Sequence, residues 1–116
     1  MDIRTRRAYD DMAENDGYRV LIDRIWPRGV AKEDLDLDDW CKDVAPSDDL
    51  RKWFDHDADK WDEFQRRYHS ELDKCDAADA LVERVKEGRV TLIFGAKDET
   101  HNNAEALRDW LRRKAG

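Results

Sequence analysis

The hydrophobic positions of this chain change their spacing twice. Tyr18 to Ile25 holds three consecutive apolar residues, Val20, Leu21 and Ile22, and Arg89 to Phe94 reads RVTLIF before Gly95. Short apolar, β-branched runs bounded by glycine predict buried parallel strands. Ile3 to Tyr9, whose apolar ends flank basic residues, predicts an edge strand. The turn Asn15-Asp16-Gly17 that follows predicts a hairpin joining the first two strands.

Between Leu35 and Lys86 the period becomes helical. Ser47 is placed to cap a helix carrying Leu50, Trp53 and Phe54, and Trp61, Phe64, Tyr68 and Leu72 then fall three and four apart. Ala78, Leu81, Val82 and Val85 mark a further helix closed by Gly88, and Ala104, Leu107, Trp110 and Leu111 mark the last. Strand, helical excursion, strand and final helix predict an α/β fold: a small, mainly parallel central sheet packed by helices, a Rossmann-like sandwich in a single domain over residues 1–116. The two best strands are expected to be parallel and adjacent or nearly so. In open sheets of this kind ligands bind beyond the carboxyl ends of the strands, which directs attention to Asp23 to Gly29 and Gly95 to Asn103.

Composition narrows the function classes. The 116 residues are 44% charged yet still 40% apolar, with five Trp, so a packed core is expected despite the polarity. Twenty-nine acids against 22 Lys and Arg give a net charge of −7, which repels a duplex phosphate backbone but leaves room for a local basic pocket holding one small anion. Cys41 and Cys75 have neither CxxC spacing nor a paired framework, which argues against a zinc ribbon or a disulfide scaffold. No apolar run approaches the roughly 20 residues of a membrane span, and Met1 to Asp11 is charged throughout. A cytoplasmic protein without membrane partners is expected.

The first turn offers Asp23, Arg24, Trp26, Arg28 and then Lys32 at the mouth of an otherwise apolar strand. Arg24 and Arg28 can present planar forks to a phosphate or carboxylate, with Gly29 admitting a close backbone and Asp23 orienting an arginine or taking a proton. The plainer alternative is an internal ion pair between Asp23 and one arginine, with Trp26 in the core. The second turn leads into the last helix, where Lys97 adds a charge beside helix-terminal N–H groups, and Thr100, Asn102 or Asn103 suits the cap. The middle segment contributes Lys42, Ser47, Arg51 and His56, the last being the only one of these four that exchanges a proton near neutrality. The acids beside His56 read as a solvated face and not as a metal cluster, and His69 and His101 have no partner at ligand spacing. No GxGxxG, P-loop or HExxH pattern occurs, so no cofactor is indicated.

Asp16-Gly17-Tyr18-Arg19-Val20-Leu21-Ile22-Asp23-Arg24-Ile25-Trp26-Pro27-Arg28-Gly29 resembles the signature of the YeaO-like family, within domain of unknown function four-eight-eight. Lys32, Trp40-Cys41-Lys42, Ala45-Pro46-Ser47, Leu50-Arg51-Lys52-Trp53-Phe54, His56 and His101-Asn102-Asn103-Ala104 follow in the family's order, so the resemblance covers nearly the whole chain. The pattern departs at Asn102-Asn103-Ala104, where the family often has Asn-His-Ala, and at Asp11, which replaces a proline; the missing histidine weakens any mechanism that needs two imidazoles. The resemblance implies a fold neighbourhood and a candidate site, and no substrate.

Besides a signature that is entirely structural, an ion-paired loop holding the sheet to the helical excursion with function residing in partners, two functional readings follow. One is a binder or enzyme for a small anionic ligand, phosphate- or nucleotide-containing, with Arg24, Arg28, Lys32, Lys42, Arg51 and Lys97 as anion ligands, Trp26, Ser47 and Asn102 beside them, and Asp23 and His56 as the acid–base pair. The other is a non-catalytic interaction module in which Trp26, Trp40 or Trp53 stacks on a protein or a single-stranded nucleic acid.

Overall fold

A computed structural model describes residues 1–11 and 13–116. Four strands, β1 (Ile3–Arg7), β2 (Tyr18–Leu21), β3 (Asp39–Trp40) and β4 (Val90–Phe94), form one sheet in the order β1-β4-β2-β3, with every neighbouring pair parallel. The mainly parallel sheet read from the sequence is therefore present, with its two most apolar strands side by side. β4 lies inside because all five of its residues can be buried: Val90, Leu92 and Phe94 face one side, Ile93 the other, and Thr91 donates its hydroxyl to the Asp16 carbonyl at 2.7 Å.

Helices α2 (Asp48–Phe54), α3 (Trp61–Leu72), α4 (Asp76–Glu87) and α5 (Asn103–Ala115) contribute apolar residues to the core on the Val20, Leu92 and Phe94 face. The opposite face, with Leu21 and Ile93, is covered by Ala8, by the single-turn helix α1 (Lys32–Leu35) through Leu35, and by Trp26, Val30, Leu37 and Trp40. Ser47 caps α2 as expected, accepting the Leu50 N–H at 3.2 Å, while its own N–H and hydroxyl bond Glu71 of α3 at 2.9 and 2.6 Å. Asn102 caps α5, and Gly88 ends α4. The fully buried Tyr68 hydroxyl donates to the Val44 carbonyl.

Three expectations are corrected. The strand expected over Tyr18 to Ile25 ends at Leu21, with one more ladder bond from Ile22 N–H to Ile93 O at 3.0 Å; at Asp23 the chain leaves the sheet, and Ile25 is 70% exposed. No hairpin joins β1 and β2, which instead run parallel on either side of β4. Gly17 serves a different end: it adopts φ +69°, and a Cβ there would lie 2.5 Å from the Arg89 carbonyl at the start of β4, so its missing side chain admits a close approach. The third correction is β3, which interrupts the helical stretch expected between Leu35 and Lys86; it is too short and too acidic at Asp38-Asp39 to show a strand pattern, and pairing with β2 and the partly buried Trp40 hold it.

The turn before β2 is fixed by a buried ionic cluster. Asp16 accepts from Arg6 at 2.9 Å and pairs with Arg19, whose guanidinium also donates to the Leu35 carbonyl at 2.7 Å. Burial pushes the Asp16 carboxyl up, but the Arg6 bond, the Ala13 N–H and the two guanidinium charges outweigh it and hold the group below the usual aspartate range. Its contribution is therefore present at neutral pH and disappears as pH falls through the depressed value. Asp16→Ala leaves Arg19 buried without its counter-charge and is expected to cost about 3–5 kcal/mol in urea unfolding at pH 7. The difference from the native chain should shrink in acid; a gap independent of pH contradicts the ionic role.

Candidate functional site

β2 and β4 are neighbours whose chains leave the sheet towards opposite faces, one to α1 and the other to α5. Such a divergence opens a crevice at the carboxyl ends of the strands. A cavity of about 320 Å³ occupies it.

Asp23 forms its floor. Oδ2 accepts the Gly95 N–H at 2.8 Å, Oδ1 accepts the Asn103 amide at 2.9 Å, and its backbone carbonyl accepts the Trp40 indole N–H at 2.7 Å. One residue thus joins the ends of β2, β3 and β4 to the first residue of α5. Gly95 leaves the space this needs, since a Cβ there would sit 3.2 Å from Asp23 Oδ2. Among the described residues Asp23 has no cationic partner, so the internal ion pair weighed from the sequence is replaced by two neutral donors. Burial pushes its pKa above the ordinary value, and the Asn103 and Gly95 bonds offset part of the rise.

The side wall is aromatic. Phe54 and Phe64 stack at 4.3 Å, Trp61 stacks on Phe64 at 5.7 Å, and His56 and His101 close the arc against Phe54 and Trp61. Phe54, Phe64 and both histidines line the cavity. Asp55 and His56 follow α2 with φ of +45° and +55°, left-handed values uncommon outside glycine, and this turn brings His56 to the rim. His101 does have a partner: Asp98, three residues earlier, meets its Nδ1 at 3.0 Å and also accepts the His101 and Thr100 N–H groups at 2.9 Å. Those bonds, the His101 N–H first, hold the Asp98 carboxyl far below the usual range. An imidazole whose Nδ1–H is given to a carboxylate leaves Nε2 free to accept a proton.

Arg24, Arg51 and Asp48 stand at the mouth. Asp48 lies 3.8 Å from Arg24 and 3.7 Å from Arg51, too far to hydrogen-bond either guanidinium. All three are exposed, so their mutual attraction is weak.

Of the candidates read from the sequence, Asp23, Arg24, Arg51, His56 and Asn102 meet around this cavity. The others lie elsewhere. Trp26 packs edge-on against Trp40 at 5.3 Å; Arg28 and Lys97 are exposed on their loops; Lys32 opens α1; Lys42 covers the Trp40 ring at 4.1 Å; and Ser47 is engaged with Glu71. The sequence reading overlooked Asp48, the aromatic arc and the contact of Asn103 with Asp23. The i, i+3 spacing of Asp98 and His101 is the signal by which that pair was open to detection. Among the described residues no three His, Cys, Asp or Glu side chains group as metal ligands, and no helix is long and apolar enough to cross a membrane.

A family described as "Inactive DUF488-N3 subclade" matches residues 2–115. The chain belongs to this family. It is 42% identical over 113 residues to "Uncharacterized protein YeaO" of Escherichia coli K12, covering 97% of this chain and 98% of the relative. It is 39% identical over 109 residues to "Uncharacterized protein Rv3073c" of Mycobacterium tuberculosis H37Rv, covering 94% and 92%. No solved structure matches it significantly. The YeaO-like resemblance is thereby established over the whole domain.

Because ionised Asp23 is disfavoured by burial, it lowers stability only where it is ionised. Asp23→Asn keeps the shape, and Asn103 can turn its amide to present its oxygen. Thermal melts should therefore give equal midpoints for the two proteins in acid, below the Asp23 pKa, and a variant midpoint that rises above the native one as pH increases through it. A variant less stable at pH 7 than at pH 3, relative to the native chain, contradicts this assignment.

Proposed function

We propose that the cavity between β2 and β4 binds a small organic anion, with the charged group held at the mouth by Arg24 and Arg51 and the polar end of the ligand received by Asp23. The observation that carries this reading is the convergence of a half-buried carboxylate, an aromatic wall and two guanidinium groups on one cavity. Small-molecule sites have this composition: apolar walls with a few placed polar groups, in volumes from roughly 300 Å³ upward. Neither arginine is consumed by a hydrogen-bonded ion pair, and two guanidinium forks suit a phosphate or carboxylate. Asp48 repels the anion and sets a limit on its charge.

The reading is binding without turnover, in keeping with the family's description as an inactive subclade. Acid–base chemistry is the second reading, favoured by one observation: His101, oriented by Asp98, shares the cavity with the protonatable Asp23. A stacking face for nucleic acid has less support. Trp26 and Trp40 pack on each other, Trp53 lies beneath Arg67 at 4.2 Å and Lys60 at 5.1 Å, and Trp110 is buried.

Thermal shift against inorganic phosphate, sugar phosphates, nucleoside monophosphates and dicarboxylates tests the proposal. A ligand at 100 times its Kd raises stability by about 2.7 kcal/mol. Arg24→Ala and Arg51→Ala should each remove most of the shift, while Arg28→Ala and Lys97→Ala, outside the cavity, leave it intact. A shift that survives both cavity substitutions moves the site elsewhere.

A further inference from the structure

The donors already spent on Asp23 define what it can still accept. An ionised carboxylate offers about four lone-pair positions. Gly95 N–H takes one on Oδ2 and the Asn103 amide takes one on Oδ1, so each oxygen keeps one acceptor position, and the side chain lines the cavity. Two acceptors fixed on one carboxylate match two parallel N–H donors on a rigid, planar group. A single amine or hydroxyl satisfies only one of them.

The wall has a matching shape. His56, Phe54, Phe64 and His101 line it; Phe64 is stacked between Phe54 and Trp61 and both phenyl rings are buried, so they offer the cavity their edges while the imidazoles of His56 and His101 are the more open rings. A flat heterocycle gains from aromatic contact there irrespective of which base it is, so the wall supplies affinity and the carboxylate supplies discrimination. The mouth then holds the charged end at Arg24 and Arg51.

Building on the anion-binding reading above, we infer that the ligand is a guanine nucleotide of monophosphate size, its N1–H and exocyclic amine paired with the two free Asp23 acceptor positions, its ring against the aromatic arc and its phosphate between Arg24 and Arg51. Among the common bases guanine alone presents two adjacent donors of this kind along one edge. Adenine offers a donor beside an acceptor, whose lone pair would face the carboxylate, and uracil offers one donor flanked by carbonyl oxygens. A site with a buried hydrogen-bonding group rejects a ligand that leaves it unpaired far more strongly than one that is merely smaller. The volume of about 320 Å³ and the net charge of −7 favour a mononucleotide over a polynucleotide.

The experiment is isothermal titration calorimetry of the full chain with guanosine, inosine, adenosine, uridine and xanthosine 5′-monophosphates and with inorganic phosphate, repeated on Asp23→Asn. Guanosine monophosphate should bind at least 10-fold more tightly than the inosine form, which keeps N1–H but lacks the amine, and than the adenosine and uridine forms. Asp23→Asn should weaken guanosine monophosphate at least 10-fold and strengthen xanthosine monophosphate, whose C2 carbonyl accepts from the new amide. A structural role for Asp23 would not produce that exchange. If all the nucleotides bind alike and Arg51→Ala weakens them together, the base assignment fails while the anion site stands. If neither phosphate nor any nucleotide binds, both fail; the ranking on the native chain decides this without the variant.

Discussion

The Asp23 carboxylate holds together the part of the molecule where the strands end. β2, β3 and β4 all finish within reach of this one residue, and α5 begins there. Its bonds to Gly95 and Asn103, and the Trp40 indole on its carbonyl, extend the β2–β4 ladder past its last bond, Ile22 N–H to Ile93 O, and tie the two turns together. Partial burial of an acid without a counter-charge is unfavourable, and desolvation shifts the Asp23 pKa upward. Groups kept at such a cost are concentrated at functional sites.

The contrast with Asp16 makes the same point. Both aspartates flank β2, one at each end, and both are held by several donors. Asp16 is surrounded by Arg6 and Arg19 and its pKa falls; Asp23 meets only neutral donors and its pKa rises. The first sits at the amino end of β2, and the second lines a cavity at the carboxyl end. Two identical side chains thus do opposite work because of the charge on their neighbours.

Much of this was legible in the sequence because the signals were local. VTLIF of β4, short, β-branched and closed by Gly95, has the pattern of an interior strand; Ser47 is legible as a cap by residue type, Asn102 as one of three candidates with Thr100 and Asn103, and the stripe Trp61, Phe64, Tyr68, Leu72 by helical spacing. Parallel order followed from the strand–helix alternation. The false hairpin at Asn15-Asp16-Gly17 arose because the same residues that turn a hairpin also allow Gly17 to pass close to Arg89, and only the tertiary position of β4 separates the two. Arg28, Lys32, Lys42 and Lys97 are grouped with the site by nearness in sequence or by charge; none of them lines the cavity, because the segment from Trp26 to Trp40 packs on the Leu21 and Ile93 face of the sheet. The aromatic arc assembles from α2, α3 and the β4–α5 turn, and no window of sequence contains it.

The central claim is that Asp23 is a recognition group, half-buried without a counter-charge and open to two donors. Its side-chain carboxyl can be followed directly by carbon NMR through a pH titration, with and without saturating guanosine monophosphate. The account predicts a midpoint above that of free aspartate in the ligand-free protein and a fall of that midpoint on binding, since two new donors favour the ionised form. An ordinary midpoint in the free protein, or one that the nucleotide leaves in place, would contradict it.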